Sequence, residues 1–404
     1  MTFRPGLHAL AGWVLLSVLP GRVAAKLQAE VKSDSVPQRD LMDVLARVLH
    51  GKPTLSDTIA VPPKLILTIL PAISANPTSG LLLGVSGNAV TRLGTESTSL
   101  STVSASVNYT TKKQFNVLVR SNVYTPGNGW KLEGDWRYLD SNQPTYGLGP
   151  AAPGEFESPM DYNLIRFYET VYRGIGPHFL VGLGYHLNHY FGIVDHNATQ
   201  GIVTPYVEYS GGQPTSSTSS GLSFNVLSDT RDNPLNTRNG LLARGSLRFS
   251  PTWLGSDATW QSFEAELKTY HKVGSERNML AFWGFTWLTM GQPPYLDLPA
   301  IGWDYNNRSG RGYAQGRIRA RDLVYGEAEY RVTLSRDGLL GAVAFVNLTS
   351  ASDGATGVLQ TPDPGGGVGI RLKLNKNSNT NIGIDFGVGA EGSNGVFFGT
   401  GEAF

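Results

Sequence analysis

The stretch Val324-Tyr325-Gly326-Glu327-Ala328-Glu329-Tyr330-Arg331-Val332 alternates strictly between two kinds of side chain. Polar residues occupy the odd positions from 325 to 331, and the even positions are apolar, small or aromatic. A period of two places these sets on opposite faces of a β-strand. Similar alternation recurs at 131–138, 262–269 and 370–374. Charged residues of both signs on one face of so many strands indicate the polar lumen of a transmembrane barrel rather than a soluble sandwich.

Working outward from this strand, about sixteen antiparallel strands can be counted between Lys64 and Phe404. Short turns alternate with longer connections near 140–161, 191–218, 291–321 and 351–364. Short turns on the inner side and long loops outside are typical of bacterial barrels, so the loop at 291–321 is predicted to be extracellular. The first strand, near 64–73, is the least well marked, and residues 201–210 are predicted to lie in a loop.

The sequence predicts two segments before the barrel. The barrel itself would span residues 63–404. Residues 1–25 have the features of a secretory signal peptide: a positive residue, an apolar run and the small residues Val23-Ala24-Ala25. Residues 26–62 form a short periplasmic leader, in which Leu41, Val44 and Leu45 begin the apolar face of one amphipathic helix. Two roles remain open for it: a stub on the barrel rim, or a plug or partner-binding helix.

The composition excludes several classes of function. A net charge of +1 without a basic run argues against a nucleic-acid partner, and the absence of cysteine excludes thiol-ligated metals and disulfides. His186 and His189 would face opposite sides of a strand, so they and His196 do not predict a metal site. No catalytic constellation or phosphate-binding loop stands out. We therefore predict a protein that is not an enzyme and has no cofactor.

Two short motifs add a family resemblance. One is Gly310-Arg311-Gly312-Tyr313, an arginine between glycines in the long loop. The other, here called the signature turn, runs from Asp229 to Gly240 and includes Arg231, Asp232, Asn233 and Pro234. Asp232 and Asn233 can cap their own backbone, Pro234 stops the ladder, and Gly240 permits the return. Together they resemble the BamA/TamA superfamily of outer-membrane barrels, the bacterial surface antigen family, although Thr237 stands where that family usually has proline.

The resemblance implies a specific role for Arg311. In the family the motif loop folds back into the lumen, and its arginine pairs with acidic residues on the following strands. Glu329 and Glu327 stand where such partners are expected, whereas Asn347 stands where the family usually has an aspartate. Asn347→Asp is therefore expected to be tolerated. The alternative is that Arg311 is a solvated loop residue.

The last strand is predicted to run from Val396 to Phe404. Its terminal phenylalanine and Gly399 resemble the signal that barrel-assembly machines read, although Glu402 departs from it. Because three glycines and Pro71 weaken the last and first strands as ladder formers, the seam between them is expected to be weak. Cysteines at Thr68 and Thr400, or near neighbours, are expected to crosslink across it.

The resemblance also implies a function. The chain is similar to a barrel-only branch, because its leader is too short for a periplasmic polypeptide-transport-associated (POTRA) domain. Such a barrel would assist insertion or translocation of protein or lipid at the outer membrane of a Gram-negative bacterium. Its partners would be outer-membrane lipid, the assembly machinery and client proteins or lipids, and a homodimer remains open. The alternative function is a passive pore or structural barrel without insertase activity.

Overall fold

The computed structural model describes residues 37–50, 65–95, 98–152, 154–234, 236–376 and 379–404. The predicted signal peptide, residues 1–25, lies outside the described residues, as does most of the predicted leader. The account below concerns the described residues.

Sixteen antiparallel strands form a closed barrel in which each strand pairs with its neighbours in sequence and the first meets the last. This confirms the fold class and strand number predicted from the alternating patterns. The strands are β1 Ile66–Asn76, β2 Gly80–Arg92, β3 Leu100–Thr110, β4 Phe115–Tyr124, β5 Trp130–Asn142, β6 Met160–Gly174, β7 Phe179–Asp195, β8 Ser216–Asp229, β9 Gly240–Ser250, β10 Trp260–Val273, β11 Ser275–Gly291, β12 Asp322–Thr333, β13 Leu340–Ala351, β14 Asp363–Asn375, β15 Thr380–Gly389 and β16 Asn394–Thr400.

The two faces of the barrel wall differ as the period of two requires. Outward side chains such as Leu183, Val346 and Ile370 are apolar and exposed. Inward side chains such as Lys268 and Glu329 are charged and buried. An apolar outer band around a polar interior is the arrangement that a lipid-embedded barrel needs.

The two ends of the barrel carry connections of different length. One end, here called the turn rim, carries the connections 93–99, 125–129, 175–178, 230–239, 334–339 and 376–379, and the single residue Gly274. The other end, the loop rim, carries the longer connections 143–159, 196–215, 251–259, 292–321 and 352–362, together with three short turns. Four of these long connections coincide with the loops predicted from the sequence.

A helix, α1, spans Leu41–His50 and docks on the turn rim. Asp40 caps its first turn, because its carboxylate accepts a hydrogen bond from the amide of Asp43 at 2.9 Å. The other oxygen of Asp40 accepts from the main-chain amide of Lys376 at 2.9 Å, and the amide of Arg39 donates to the carbonyl of Asp337 at 2.9 Å. The segment before the helix thus joins the β14–β15 and β12–β13 turns.

A second helix, α2, spans Pro205–Ser210 inside the long β7–β8 loop. Thr204 caps it by accepting a hydrogen bond from the amide of Val207, Pro205 opens it, and Gly211 ends it in the left-handed region. The sequence predicted only a loop at 201–210. In the described part of the chain, no helix is both long enough and apolar enough to cross a membrane.

Candidate functional site: the inserted loop, its charged anchors and the seam

The β11–β12 connection, residues 292–321, folds back into the lumen and is called the inserted loop from here on. It doubles on itself, because the amide of Ile301 donates to the carbonyl of Ile318 and the amide of Gly316 donates to the carbonyl of Ile301. Asp304 organises the tip by accepting hydrogen bonds from the amides of Arg308 and Ser309 at 3.0 and 2.7 Å. The loop is therefore a folded unit with its own internal hydrogen bonds.

Two glycines allow the motif arginine to reach the barrel wall. Gly310 and Gly312 have φ angles of +75° and +115°, which favour glycine. A Cβ atom at Gly312 would lie 2.5 Å from the carbonyl oxygen of Val388, so the loop backbone lies directly against β15. A side chain at position 312 would push the loop off the wall.

The guanidinium of Arg311 is enclosed by three carboxylates and one aromatic ring. It forms ion pairs with Glu327 and Glu329 on β12, and with Asp385 on β15 at 2.7 Å. Its flat face lies 3.7 Å from the ring centroid of Phe345. Burial alone would lower the pKa of Arg311, but the three carboxylates raise it above its ordinary value. Arg311 is 3% exposed, so this is a buried charge cluster rather than a solvated loop arginine.

Asn347 lies at the motif and binds the main chain of Arg311 rather than its guanidinium. Its amide nitrogen donates a hydrogen bond to the main-chain carbonyl of Arg311 at 3.0 Å. The further acidic partner, which the resemblance placed at position 347, is Asp385 on β15. The sequence analysis did not single out Asp385. The available signal was the alternation of β15, in which Asp385 lies between the apolar residues Ile384 and Phe386 and therefore faces the lumen.

The anchor of Arg311 belongs to a larger ring of charges. Glu329 also pairs with Arg331, and Asp385 also pairs with Arg371 on β14. Glu402 closes the ring, because it pairs with Arg371 at 2.8 Å and lies 4.0 Å from Arg331. The ring thus joins the inserted loop, β12, β14, β15 and the residues that follow β16.

Tyr313 fixes the loop at a further point. Its hydroxyl donates to the carbonyl of Pro364 and accepts from the amide of Ala390 at 2.8 Å. A Cβ atom at Gly389 would lie 2.5 Å from the tyrosine ring, so the glycine makes room for it. Gly310, Arg311, Gly312 and Tyr313 therefore act as one docking element against β13 to β15.

A second anchor lies across the lumen and was missed by the sequence analysis. The ring of Tyr305, at the tip of the inserted loop, lies 3.9 Å from the guanidinium carbon of Arg244 on β9. Arg120 on β4 donates to the carbonyl of Tyr305 at 2.9 Å, and Arg137 on β5 donates to the side chain of Asn307 at 3.2 Å. The inserted loop is therefore held on two facing walls and crosses the lumen between them.

The signature turn, Asp229 to Gly240, lies at the turn rim. Arg231 pairs with Asp229 at 2.8 Å, and Asp232 accepts hydrogen bonds from the amides of Arg238 and Asn239. A Cβ atom at Gly240 would lie 2.3 Å from the carbonyl oxygen of Thr230, so the return requires glycine.

Two other residues of this turn make additional bonds. Thr237, where the family usually has proline, donates its hydroxyl to the carbonyl of Asn233 at 2.7 Å. Asn236 donates to the carbonyl of Asn379 in the β14–β15 turn at 3.0 Å. The signature turn, between β8 and β9, thus contacts the β14–β15 turn on a distant part of the barrel wall.

The seam, where β1 meets β16, has the fewest registered residue pairs of any two neighbouring strands in the described part of the barrel. Among the described residues these strands share a single registered pair, Ala75 with Phe398. Eleven such pairs join β1 to β2, and seven join β15 to β16. The pair lies at the end of β1 nearer the loop rim, so residues 66–74 of β1 present an edge without a registered partner on β16.

The residues after β16 differ from the prediction. The strand ends at Thr400, and the segment Gly401–Phe404, here called the inward segment, turns into the lumen. Gly401 makes the turn with a φ of +83°, and Phe404 is buried beside Trp283, with ring centroids 5.3 Å apart. The predicted last strand, Val396 to Phe404, was therefore too long. In this state Gly399 and Phe404 are not part of one exposed terminal strand.

The inserted loop touches both sides of the seam. Beside β1, the amide of Gln315 donates to the hydroxyl of Thr78 at 2.7 Å. Beside β16, the guanidinium of Arg308 donates to the carbonyl of Thr400 at 2.9 Å. The position of the loop and the state of the seam are thus physically linked.

The three histidines noted in the sequence have separate partners. His186 lies against Ser223 at 3.2 Å, His189 against Thr218 at 3.0 Å, and His196 against Asp161 at 2.8 Å. In the residues that the structure describes, no group of three histidine or acidic side chains is placed to hold a metal ion.

Comparison with known proteins identifies the family. Residues 98–404 match the family model described as the Omp85 superfamily domain. The chain belongs to the Omp85 superfamily. This confirms the predicted resemblance to the BamA/TamA superfamily, and an Omp85 barrel lies in the outer membrane of a Gram-negative cell. No curated protein sequence is similar enough to this Omp85 chain to register as a relative.

Solved structures similar to this Omp85 barrel include BamA from Haemophilus ducreyi lacking POTRA domains 1–3, with a TM-score of 0.55 and 14% identity. The match covers 84% of this chain and 70% of that one. CdiB from Escherichia coli has a TM-score of 0.53 and 9% identity, with 82% of this chain and 62% of that chain covered. The Omp85 chain therefore spans less than two thirds of CdiB. At these identities the likeness concerns the fold.

Proposed function

We propose that this Omp85 barrel assists the insertion or translocation of protein or lipid at the outer membrane, by opening its seam between β1 and β16. The observation that carries the proposal is the edge of β1, residues 66–74, which has no registered partner on β16 in the described structure. An unpaired strand edge offers main-chain donors and acceptors to an incoming strand. The role is non-enzymatic, and the turn rim is the periplasmic side.

The partners follow from the surfaces beside that edge. Leu67, Ile69 and Ile73 of β1 are exposed on the outer face, so a client that pairs with this edge would meet lipid at the same time. The proposed partners are therefore outer-membrane lipid, client proteins or lipids, and the assembly machinery that receives this barrel itself.

The inserted loop argues against the alternative of a passive pore. It is held on two facing walls of the lumen by Arg311 and Tyr305, so an open aqueous path through the middle of the barrel is obstructed. A barrel with a short β1–β16 pairing and an obstructed lumen is better suited to open between these strands than to conduct solutes through the lumen.

The proposal can be tested by depletion and complementation in the bacterium. Depletion should lower the levels of other outer-membrane proteins or disturb its lipids, and the wild-type gene should restore them. A variant with Ala75→Cys and Phe398→Cys, which occupy the registered pair, should complement only under reducing conditions. The single-cysteine variants are matched controls, because the chain has no other cysteine. Thr68 and Thr400 are unsuitable, because the register places residue 400 opposite residue 73.

Two results would contradict the proposal. Unchanged outer-membrane proteins and lipids after depletion would remove the assembly function itself. Full complementation by the crosslinked variant, with the disulfide verified in the cells, would show that opening at this pair is not required.

A further inference from the structure

A small cavity at the turn rim, here called the rim cavity, has a basic lining. It has a volume of about 60 Å³ and lies among the rim ends of β10 to β15 and part of the signature turn. Among the described residues, its lining contains six basic side chains and two carboxylates: Arg238, Lys272, Arg277, Arg331, Arg371 and Lys373, with Glu276 and Glu402. A cavity of this size has room for a few water molecules or one small oxyanion.

Two of the six cations are compensated by the carboxylates of the lining. Lys272 pairs with Glu276 at 2.8 Å, and Arg371 pairs with Glu402 at 2.8 Å. Arg371 has a further carboxylate partner in Asp385, behind the lining. These two cations are therefore neutralised by the chain itself, and the remaining four decide what the rim cavity can bind.

Three of the remaining cations have no carboxylate partner. In the described part of the chain, no carboxylate lies within ion-pair distance of Arg238, Arg277 or Lys373. The ammonium of Lys373, a residue that is 8% exposed, donates to the side-chain oxygen of Asn379. The guanidinium of Arg238 donates to the main-chain carbonyl of Glu276 at 3.1 Å. Both are neutral acceptors, so the positive charges remain uncompensated.

The fourth cation, Arg331, has an unused donor. Its Nε atom pairs with Glu329, and its Nη2 atom donates to the main-chain oxygen of Phe404 at 2.8 Å. Its Nη1 atom has no hydrogen-bond partner among the residues that the structure describes, although Arg331 is only 7% exposed. A buried guanidinium donor without an acceptor is costly. Because Arg331 is part of the lining, a ligand in the rim cavity could supply that acceptor.

We propose that the rim cavity binds a phosphate group. The four cations lie on four elements: Arg277 on β11, Arg331 on β12, Lys373 on β14 and Arg238 in the signature turn. A phosphate group has acceptor oxygens in several directions and suits donors that converge from several elements, whereas a carboxylate is best matched by one planar guanidinium. A bound phosphate would join the signature turn to three strands of the barrel wall.

The phosphate has two possible sources with the same chemistry, free phosphate and the headgroup of a phospholipid. The site lies apart from the pairing of β1 with β16, and the inference goes beyond the function proposed above without depending on it. Its test therefore needs no client and no opening of the seam.

The first arm of the test titrates inorganic phosphate into the full chain, purified in a phosphorus-free detergent, by isothermal titration calorimetry at constant ionic strength. Arg277→Gln and Lys373→Gln should each weaken phosphate binding by about tenfold or more, because each removes a charge-assisted hydrogen bond. Lys373→Arg keeps the charge and should retain binding. Arg336→Gln is the matched control, because it removes an exposed arginine from the same rim outside the rim cavity.

The second arm measures the phospholipid that the same preparations retain, by extraction and mass spectrometry. A lipid headgroup in the rim cavity predicts that wild type and Arg336→Gln retain more phospholipid than Arg277→Gln and Lys373→Gln. Free phosphate predicts equal phospholipid in all of them and a difference in the titration alone.

Heat-modifiable migration shows which variants are folded. Since Arg277 is exposed, Arg277→Gln carries the test if Lys373→Gln fails to assemble. Folded variants that match wild type in both phosphate affinity and retained phospholipid would overturn the proposal, because the rim cavity would then hold water only. An equal loss in Arg336→Gln would overturn it as well, because the effect would then come from the charge of the whole rim.

Discussion

At the scale of single residues, Arg311 is a buried charge that connects the inserted loop to two strands of the barrel wall. Its guanidinium is the shared partner of Glu327, Glu329 and Asp385, all of them buried. Removing one member of a buried ion pair leaves its partners as uncompensated charges, which costs more than the pair itself contributes. The motif arginine therefore matters to the stability of the barrel as well as to the position of the loop.

Arg311→Ala should lower the free energy of unfolding by about 3–5 kcal/mol, because three carboxylates lose their common partner. The measurement is the temperature at which the folded band disappears on gels, together with protease access to residues 295–320. Arg336→Ala, an exposed arginine in a turn, is the control. Equal heat stability and equal protease access in the two variants would show that the loop does not depend on Arg311.

Asn347→Asp should be destabilising, which reverses the expectation drawn from the family pattern. The substitution replaces the amide nitrogen that donates to the carbonyl of Arg311 with an oxygen that cannot donate. It also gives a negative charge to a side chain whose Oδ1 atom has no hydrogen-bond partner in the described structure. The expected loss is about 1–3 kcal/mol. Asn88→Asp, at an exposed asparagine of β2, should change little. The same thermal assay decides, and a tolerated Asn347→Asp would return position 347 to the role of an acidic partner.

At the scale of elements, the inserted loop and β15 fit together through glycine. A Cβ atom at Gly387 would lie 2.7 Å from the amide nitrogen of Gly312, so the two backbones are in direct contact. The same approach brings Arg311 beside the carboxylates of Glu327 on β12 and Asp385 on β15. Backbone approach and ion pairing are therefore parts of one docking arrangement.

Gly387→Ala should displace the inserted loop and lower stability by roughly 1–3 kcal/mol, as overpacking usually does. Gly326→Ala is a matched control, because it also lies in a strand and a Cβ atom there would meet nothing within 4 Å. The thermal assay and protease access to residues 295–320 compare the two. A Gly387→Ala variant as stable and as protected as Gly326→Ala would show that the contact at 312 is not needed.

The elements were predictable from the sequence to the extent that a local pattern determines them. Strand alternation predicted the sixteen strands, and loop length predicted the two rims. The inward turn after Thr400 was not predictable, because it depends on Arg331 and Arg371, which reach Glu402 only in the closed barrel. The sequence showed that Glu402 departs from the assembly signal, but it did not show that Arg331 and Arg371 are the partners of this carboxylate.

The anchors of the loop show the same division. Arg311, Glu327 and Glu329 lie within one loop and the strand after it, and a family resemblance was enough to connect them. Asp385 lies on β15, three strands after β12, and the partners of Tyr305 lie on β4 and β9, so their proximity follows from the closed barrel. A sequence pattern carries no register between distant strands, so these contacts needed the structure.

At the scale of the whole molecule, the inserted loop crosses the lumen of the barrel, and the pairing between β1 and β16 in its wall is short. The inserted loop joins facing walls and also touches both sides of the seam, through Thr78 and Thr400. Separation of β1 from β16 would therefore strain or break these hydrogen bonds of the inserted loop. Displacement of the loop would in turn remove contacts from both sides of the seam. Under the proposed function, this connection would let the inserted loop influence the opening of the seam.

The wild-type barrel should conduct ions poorly in planar bilayers, and the double variant Tyr305→Ala with Arg311→Ala should conduct. Arg311→Ala removes the ion pairs of one anchor, and Tyr305→Ala removes the ring contact with Arg244 from the other. Together they should raise the open time by about tenfold or more, since a tenfold change needs only about 1.4 kcal/mol. Trp253→Ala with Arg336→Ala, two exposed residues at the rims, is the control. Steady conductance by the wild-type protein, equal to that of the double variant, would mean that the loop does not seal the lumen. A passive pore would then be the better account of this barrel, because ions would already pass through its centre with both anchors in place.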